Sequence, residues 1–388
     1  MRRTPCGAQR RRVLMLAAAI SLSAVAPVAA QGPAAPAPQG EPVTVGAILS
    51  VTGPVAGVGQ PERDGALLAE KVVNAAGGVA GRPLKLIIED DASNPDTAIS
   101  KATGLIRSTK VRALIGSSNL PSTVAIGGLT DPIKLPQVAL SGIGPAVEAK
   151  RTCVVHLLAP QELNARAALT YVRDALKAKR VGLLHDSGYG QAVANSLKAV
   201  APEYGVELAQ VEKFEIGATD VSAQAAKVKN AGVDAVIIVA SSATPFRNVH
   251  DLRIGVPVIG SIASSSYEYV RAMGEAAEGV IFAEFLIAED PLPHQAEFVA
   301  TFQKAYGRLP KNYEAAGWDA VNLIAKVLAE AGPDADNAAV CAALRKPLRG
   351  VLATYDFSAP DMTGLGLASF SYSQVRNGGF VRLPFPPR

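Results

Sequence analysis

From Val43 onward the chain alternates between short apolar runs and longer segments with helical spacing. VTVGAIL, LKLIIED and VRALIGS are β-branched runs, each followed by an amphipathic stretch, and the alternation returns at RVGLLHD, VDAVIIVA, VPVIGS and EGVIFAE. Strands apolar on both faces and separated by helices predict parallel sheets covered on both sides. The first helix is predicted to open at Pro61, with Glu62 and Asp64 at the positive end of its dipole. It should bury Leu68, Val72 and Ala75 and stop at Gly77-Gly78. A later helix carries Trp318, Val321 and Leu328 on one stripe. About a dozen βα elements exceed one ordinary doubly wound sheet, so the pattern predicts two α/β lobes.

The first 42 residues depart from this pattern. A basic start, the apolar run VLMLAAAISLSAV and the small residues Val28-Ala29-Ala30 predict a signal peptide over 1–30, cleaved before Gln31. The run is short for a membrane span and ends at Pro27. Arg10-Arg11-Arg12-Val13-Leu14 also resembles a twin-arginine signal, although an ordinary basic start explains it equally well. Residues 31–42, rich in Pro and Ala, predict a flexible, solvated linker. Export is therefore expected.

Composition changes the picture in two places. The formal charge of +4 comes from the leader, whose removal leaves 33 basic against 34 acidic residues and a net charge of −1. A nucleic-acid-binding surface is not indicated. Of three cysteines, Cys6 leaves with the leader, so Cys153 and Cys341 form a single potential pair, either bridged or both buried as free thiols.

Enzymatic motifs fail on inspection. Gly57-Val58-Gly59 has Glu62 at the third glycine position of a dinucleotide fingerprint, and Gly142-Ile143-Gly144 has Val147 there. Gly116-Ser117-Ser118-Asn119-Leu120 lacks the closing glycine of a nucleophile elbow. No P-loop occurs, and His156, His185, His250 and His294 lack metal-ligand spacing. No cofactor and no enzymatic activity are expected. Glu89-Asp90-Asp91 could bind a cation, but turn formation and capping by Asp91, Ser93 and Asn94 is the favoured reading.

Strand ends carry more information. Ser117, Ser118 and Asn119 precede Pro121, so hydroxyls, an amide and free backbone N–H groups converge at a helix start, a setting that suits a carboxylate. Ser141-Gly142-Ile143-Gly144-Pro145 repeats this chemistry one strand along. Ordinary capping explains either segment alone, but two adjacent strand ends mark the ligand edge of an open sheet.

The stretch from VTVGAILSVTGPVAGVG through NAAGGVAGRPLKLIIEDDASNPDTA closely resembles the opening of the periplasmic leucine/isoleucine/valine-binding proteins of ABC importers. The similarity continues through VRALIGSSNLPST, HDSGYG, GEAAEGV and YDFSAPDMTGLG. The resemblance implies a type I periplasmic-binding-protein fold, two Rossmann-like lobes joined by three crossovers, with lobe I at 43–158 plus 285–355 and lobe II at 159–284 plus 356–388. It implies a monomer that carries a small amino acid or related carboxylate to an inner-membrane permease. A ligand-sensing module reporting to a signalling partner is the alternative.

Carried over by position, the ligand residues are Val58, Ser118, Asn119, Leu120, Ser122, Ser141, Gly142 and Ile143 from the first lobe, and Tyr189, Ser241 and Ile262 from the second. Five positions depart from the family. Ile262 stands where amino-acid binders have a carboxylate, Val58 replaces an aromatic, Leu120 replaces a hydroxyl residue, and Ser93 and Asn119 replace a small disulfide. An ammonium without a counter-charge is costly to bury. Leucine is therefore expected to bind less well than its deaminated analogue, unless Asp186 or Glu284 reaches the ligand.

Overall fold

The computed structural model describes residues 36–142, 144, 151–359 and 361–385; the leader and Ile143 lie outside them. The strands are β1 Val43–Leu49, β2 Leu84–Asp90, β3 Leu114–Gly116, β4 Gln137–Ala139, β5 Val154–His156, β6 Arg180–Asp186, β7 Glu207–Phe214, β8 Ala235–Val239, β9 Val258–Gly260, β10 Ile281–Glu284, β11 Pro347–Arg349, β12 Thr354–Asp356, β13 Ser371–Arg376 and β14 Gly379–Arg382. The helices are α1 Ala56–Ala75, α2 Pro95–Ser108, α3 Leu120–Thr130, α4 Gln161–Asp174, α5 Tyr189–Val200, α6 Ser222–Asn230, α7 Thr244–Asp251, α8 Tyr267–Met273, α9 Ala296–Tyr306, α10 Asn312–Ala331 and α11 Asn337–Leu344.

Two sheets share one winding plan. The first, ordered β2-β1-β3-β4-β5, is entirely parallel. In the second, ordered β14-β13-β10-β9-β8-β6-β7, the strands β7, β6, β8, β9 and β10 repeat that order in parallel, and β13 and β14 extend the edge antiparallel. Strand order reverses beside β1 and again beside β6, and a doubly wound sheet holds its ligand crevice at such points. The chain passes between the sheets after β5, after β10 and before β13. These passages are the three crossovers.

Alternate residues explain why each sheet is covered on both faces. Leu183, Ile237 and Val239 pack against Leu169 of α4 and Leu197 of α5. Their neighbours Leu184, Val236 and Ile238 pack on the opposite face with Phe246 and Phe282. In the first sheet Ile48 and Leu114 meet Ala98 and Ile126, while Val45, Ala47 and Ile115 join a larger cluster with Leu68, Val321, Ile324, Phe285 and Tyr372.

The first helix begins earlier than its sequence suggests. The Val58 and Gly59 N–H groups close a turn on the Val55 carbonyl at 2.9 and 3.2 Å, so Pro61 falls inside the helix. There its missing N–H leaves the Gly57 carbonyl without its usual helical donor. Glu62 accordingly lies beyond the first turn and cannot serve the dipole as expected. Gly77 and Gly78 end the helix with positive φ, as anticipated. Residues 36–42 form no helix or strand, but Gln39 N donates to Gly81 O at 2.8 Å and Arg82 donates to Glu41 O, so this stretch is pinned.

Helices α1 and α10 touch backbone to backbone. A Cβ at Gly65 would overlap the Glu314 carbonyl, and one at Gly317 would overlap the Glu62 carbonyl. Gly317→Ala is expected to lower stability by about 1–3 kcal/mol, overpacking outweighing the better helix propensity. Gly128→Ala, on an exposed stretch of α3 with nothing within 4 Å of the new methyl, should raise it by about 0.4–1 kcal/mol. Urea midpoints of the two variants read the difference, and equal shifts would refute the close crossing.

Cys153, just before β5, and Cys341, in α11, are joined as a disulfide with Cα atoms 5.3 Å apart. Both sulfurs lie against the Lys134 carbonyl. Where the chain leaves β10, Glu284 is fully buried and bound by Lys311, Ser373 and, at 2.7 Å, Ser265. Asn312 Oδ1 accepts the Phe285 and Leu286 N–H groups at 3.0 and 2.9 Å, fixing the second crossover to the start of α10. The Lys311 ammonium also sits 3.4 Å from the Phe380 ring centre.

Candidate functional site

The C-terminal ends of β1, β2 and β3 are knitted together by short polar side chains. Ser50 N donates to Ser118 Oγ at 3.0 Å, Ser50 Oγ donates to Asp91 at 2.8 Å, and Asn119 Nδ2 donates to Ser50 Oγ at 2.9 Å. The second Asp91 oxygen accepts from Ser117 Oγ. Asp91 also accepts the Ser93 N–H, and Asn94 caps α2 through the Asp96 and Thr97 N–H groups, so this carboxylate run builds turns as expected. Ser93 Oγ, at one family disulfide position, instead ties Thr52 O and Val55 N.

The expected first-lobe residues other than Ile143, which lies outside the described residues, have divided duties. Asn119 is the N-cap of α3, accepting from Ser122 N at 2.9 Å, so its oxygen is spent on the helix. Ser122 Oγ is buried without a hydrogen-bond partner in the protein. Leu120 is half-buried at the start of α3, and Val58 is half-buried against the main cluster. Ser141, after β4, shares a 2.8 Å hydrogen bond with Thr123, and Gly142 O accepts from Gln161 at 3.1 Å. A side chain at Gly142 would collide with the Ala159 carbonyl.

In the second sheet Asp186 closes the corresponding edge. One oxygen accepts the Gly188 and Gly190 N–H groups at 2.9 and 2.8 Å, and the other accepts Ser241 N at 3.1 Å. Tyr189 and Ile262 meet around one small cavity, shared with Asn164, Ala168, Val193 and Gly260. Burial raises the Tyr189 phenol well above its ordinary pKa, and the Asp186 charge adds to this. Ser241 is exposed, and its carbonyl accepts the Tyr269 hydroxyl at 2.9 Å.

Two acids singled out as possible ammonium acceptors are already engaged. Asp186 serves three backbone N–H groups, and Glu284 serves Lys311, Ser265 and Ser373.

Sequence matching missed Glu62, Tyr269 and Tyr313. A Cβ at Gly57, in the first turn of α1, would lie 3.4 Å from the Tyr269 hydroxyl, so the two lobes meet at this point. Tyr313, at the start of α10, lies within electrostatic reach of Tyr189, Tyr269 and Glu62. Glu62 is fully buried, neither carboxylate oxygen has a partner at hydrogen-bonding distance, and burial lifts its pKa well above the ordinary carboxyl range. The Ser118 hydroxyl opposes that rise and the Asp91 charge reinforces it. The only sequence signal for Glu62 was a charged residue one turn from a Gly-rich segment.

The resulting arrangement holds hydroxyls, an unpaired carboxyl and apolar side chains between two strand-order reversals. Among the described residues no group of three or more His, Cys, Asp and Glu could hold a metal, and no helix is long and apolar enough to cross a membrane.

Known proteins of this architecture resemble the chain over most of its length. It is 28% identical over 354 residues to Leu/Ile/Val-binding protein homolog 3 of Brucella melitensis, covering 88% of this chain and 93% of that protein. The leucine-, isoleucine-, valine-, threonine-, and alanine-binding protein of Pseudomonas aeruginosa is 27% identical over 301 residues, 76% of this chain and 80% of the relative. Among solved structures, the branched-chain amino acid transporter substrate binding protein LivJ of Streptococcus pneumoniae, in complex with isoleucine, superposes with a TM-score of 0.79 at 23% identity, covering 88% of this chain and all of that one. A leucine binding protein of Thermotoga maritima gives 0.78 at 22%, over 88% and 97%. These superpositions establish the type I periplasmic-binding fold. Relatives named for leucine, isoleucine and valine thus align with most of the chain; residues 42–369 match the family described as periplasmic binding protein, and the chain belongs to that family.

Proposed function

We propose that this protein is the extracytoplasmic solute-binding component of an ABC importer, taking up a small amino acid or related organic carboxylate between its lobes and delivering it to an inner-membrane permease. It works without bond chemistry, as an exported monomer released by cleavage near Ala30. The observation that carries the reading is the pair of matched strand-order reversals, with Ser118, Ser122 and Ser141 bordering one and Tyr189, Ser241 and Ile262 bordering the other. Relatives named for leucine, isoleucine and valine support the ligand class. The lobe division at 158/159 and 284/285 goes with this reading. The third boundary is drawn nearer Phe370 than 355, since His156 N donates to Met362 O at 3.0 Å.

Ligand contacts to both lobes favour the closed arrangement in proportion to the affinity difference between open and closed states. Saturating ligand should therefore shrink the radius of gyration in solution scattering. At a hundredfold excess over Kd it should also add about 2.7 kcal/mol of stability. Leucine, isoleucine, valine, phenylalanine and their deaminated acids are the panel to titrate. A compound that binds tightly yet leaves the scattering profile unchanged would show that closure is not the mechanism.

A further inference from the structure

Buried polar groups in folded proteins are nearly always fully hydrogen-bonded, and the Glu62 carboxyl has no partner at ordinary hydrogen-bonding distance, the Ser118 hydroxyl being the one donor that acts on it. Its oxygens lack partners although the side chain is fully enclosed by α1, the end of β3 and the start of α10. The cations of the neighbouring segments are committed elsewhere. Arg63 pairs with Asp64, Arg308 with Asp64 and Glu314, and Lys311 with Glu284. Among the described residues, the groups that act on the carboxyl are neutral or acidic: the Ser118 hydroxyl, Asp91, and the phenol of Tyr313, itself near Tyr189 and Tyr269 of the second lobe. A carboxyl so placed lacks one thing, a cationic hydrogen-bond donor, and no side chain supplies it.

Resting on the solute-binding reading above, we propose that Glu62 is the acceptor for the ammonium group of an amino-acid ligand. A primary ammonium carries three donors. One pairs with the Glu62 carboxylate, and the surrounding hydroxyl oxygens can accept the others. The site thus selects amino acids over the acids that lack the amine, reversing the preference that Ile262 alone implies. Burial raises the Glu62 pKa in the empty protein, and pairing with an ammonium favours the ionised carboxylate, so binding should be linked to loss of a proton from this group. The other ionisable groups near it are Asp91 at the end of β2, Tyr313 and Glu314 on α10, Tyr189 on α5, Tyr269 on α8, and Arg63 and Asp64 on α1 itself.

Calorimetry of wild type and Glu62→Gln with leucine, valine and phenylalanine, and with 4-methylpentanoate, 3-methylbutanoate and 3-phenylpropanoate, tests this. Wild type should bind at least one amino acid more tightly than its deaminated partner. Binding should be accompanied by proton release, read from the dependence of enthalpy on buffer. Glu62→Gln should lose about ten- to hundredfold in amino-acid affinity, and lose the proton release. Its affinity for the deaminated acid and its melting temperature should not fall. Glu62→Asp, which keeps the charge, should recover part of the affinity. Unchanged amino-acid binding in Glu62→Gln would overturn the assignment. So would a parallel loss of folding in both variants, which makes Glu62 a structural group. Wild-type binding of the deaminated acids alone would overturn it while leaving the solute-binding reading intact, and binding of none of the six probes would count against both.

Discussion

Lys311→Met is expected to destabilise the protein by about 3–5 kcal/mol, because it strands the Glu284 carboxylate in the interior without its counter-charge. Ser265, Ser373 and Asn312 still donate to Glu284, but neutral donors do not replace a buried cation. The double variant Lys311→Met with Glu284→Gln removes both charges and should recover most of the loss. The pair lies where the chain leaves β10 for α10, so the single variant should also weaken ligand-induced closure. Chemical denaturation followed by far-ultraviolet circular dichroism measures the stabilities. A single-variant loss below about 1 kcal/mol would mean that water reaches the pair and screens it.

Removing the Cys153–Cys341 bridge is the second large effect. The two residues are 188 apart in sequence, and the loop-entropy relation gives about 5 kcal/mol for a closure of that length, within the 2–5 kcal/mol typical of native bridges. Cys153→Ala with Cys341→Ala should show the loss in its guanidinium midpoint, and wild type should approach it on reduction. Intact wild type should weigh two hydrogens less than the reduced chain. Matching midpoints for the oxidised and reduced protein would overturn this expectation.

Local features of the fold were legible because their causes are local. Apolar runs such as RVGLLHD and VDAVIIVA are strands because all their residues but Arg180 and Asp234 are buried against packed layers, and Asn94 and Asn119 announce helix starts through their own side chains. The start of α1 was misjudged because Pro61 is common in a first turn, whereas here the preceding turn is wound onto Val55. Glu62 was illegible for a different reason. On its own helix it resembles an ordinary exposed acid, and only the approach of α10, some 250 residues later, encloses it. Lys311 and Glu284, likewise, have no pairing signal in sequence; the crossover geometry brings them together. Among the expected site residues, Tyr189 and Ile262 share one cavity, while Asn119 is occupied by its cap.

Because α10 packs directly on α1 and β13 completes the far sheet, neither lobe has its full core until the last quarter of the chain is present. A nascent chain that has emerged only as far as Tyr306 carries the Gly65 face of α1 with nothing against it and a sheet lacking two strands. Such a chain lacks the packing that holds either lobe together, so its stable compact state waits on the C-terminal elements. The interlaced order of elements thus ties the folding of the first residues of each lobe to the arrival of the last.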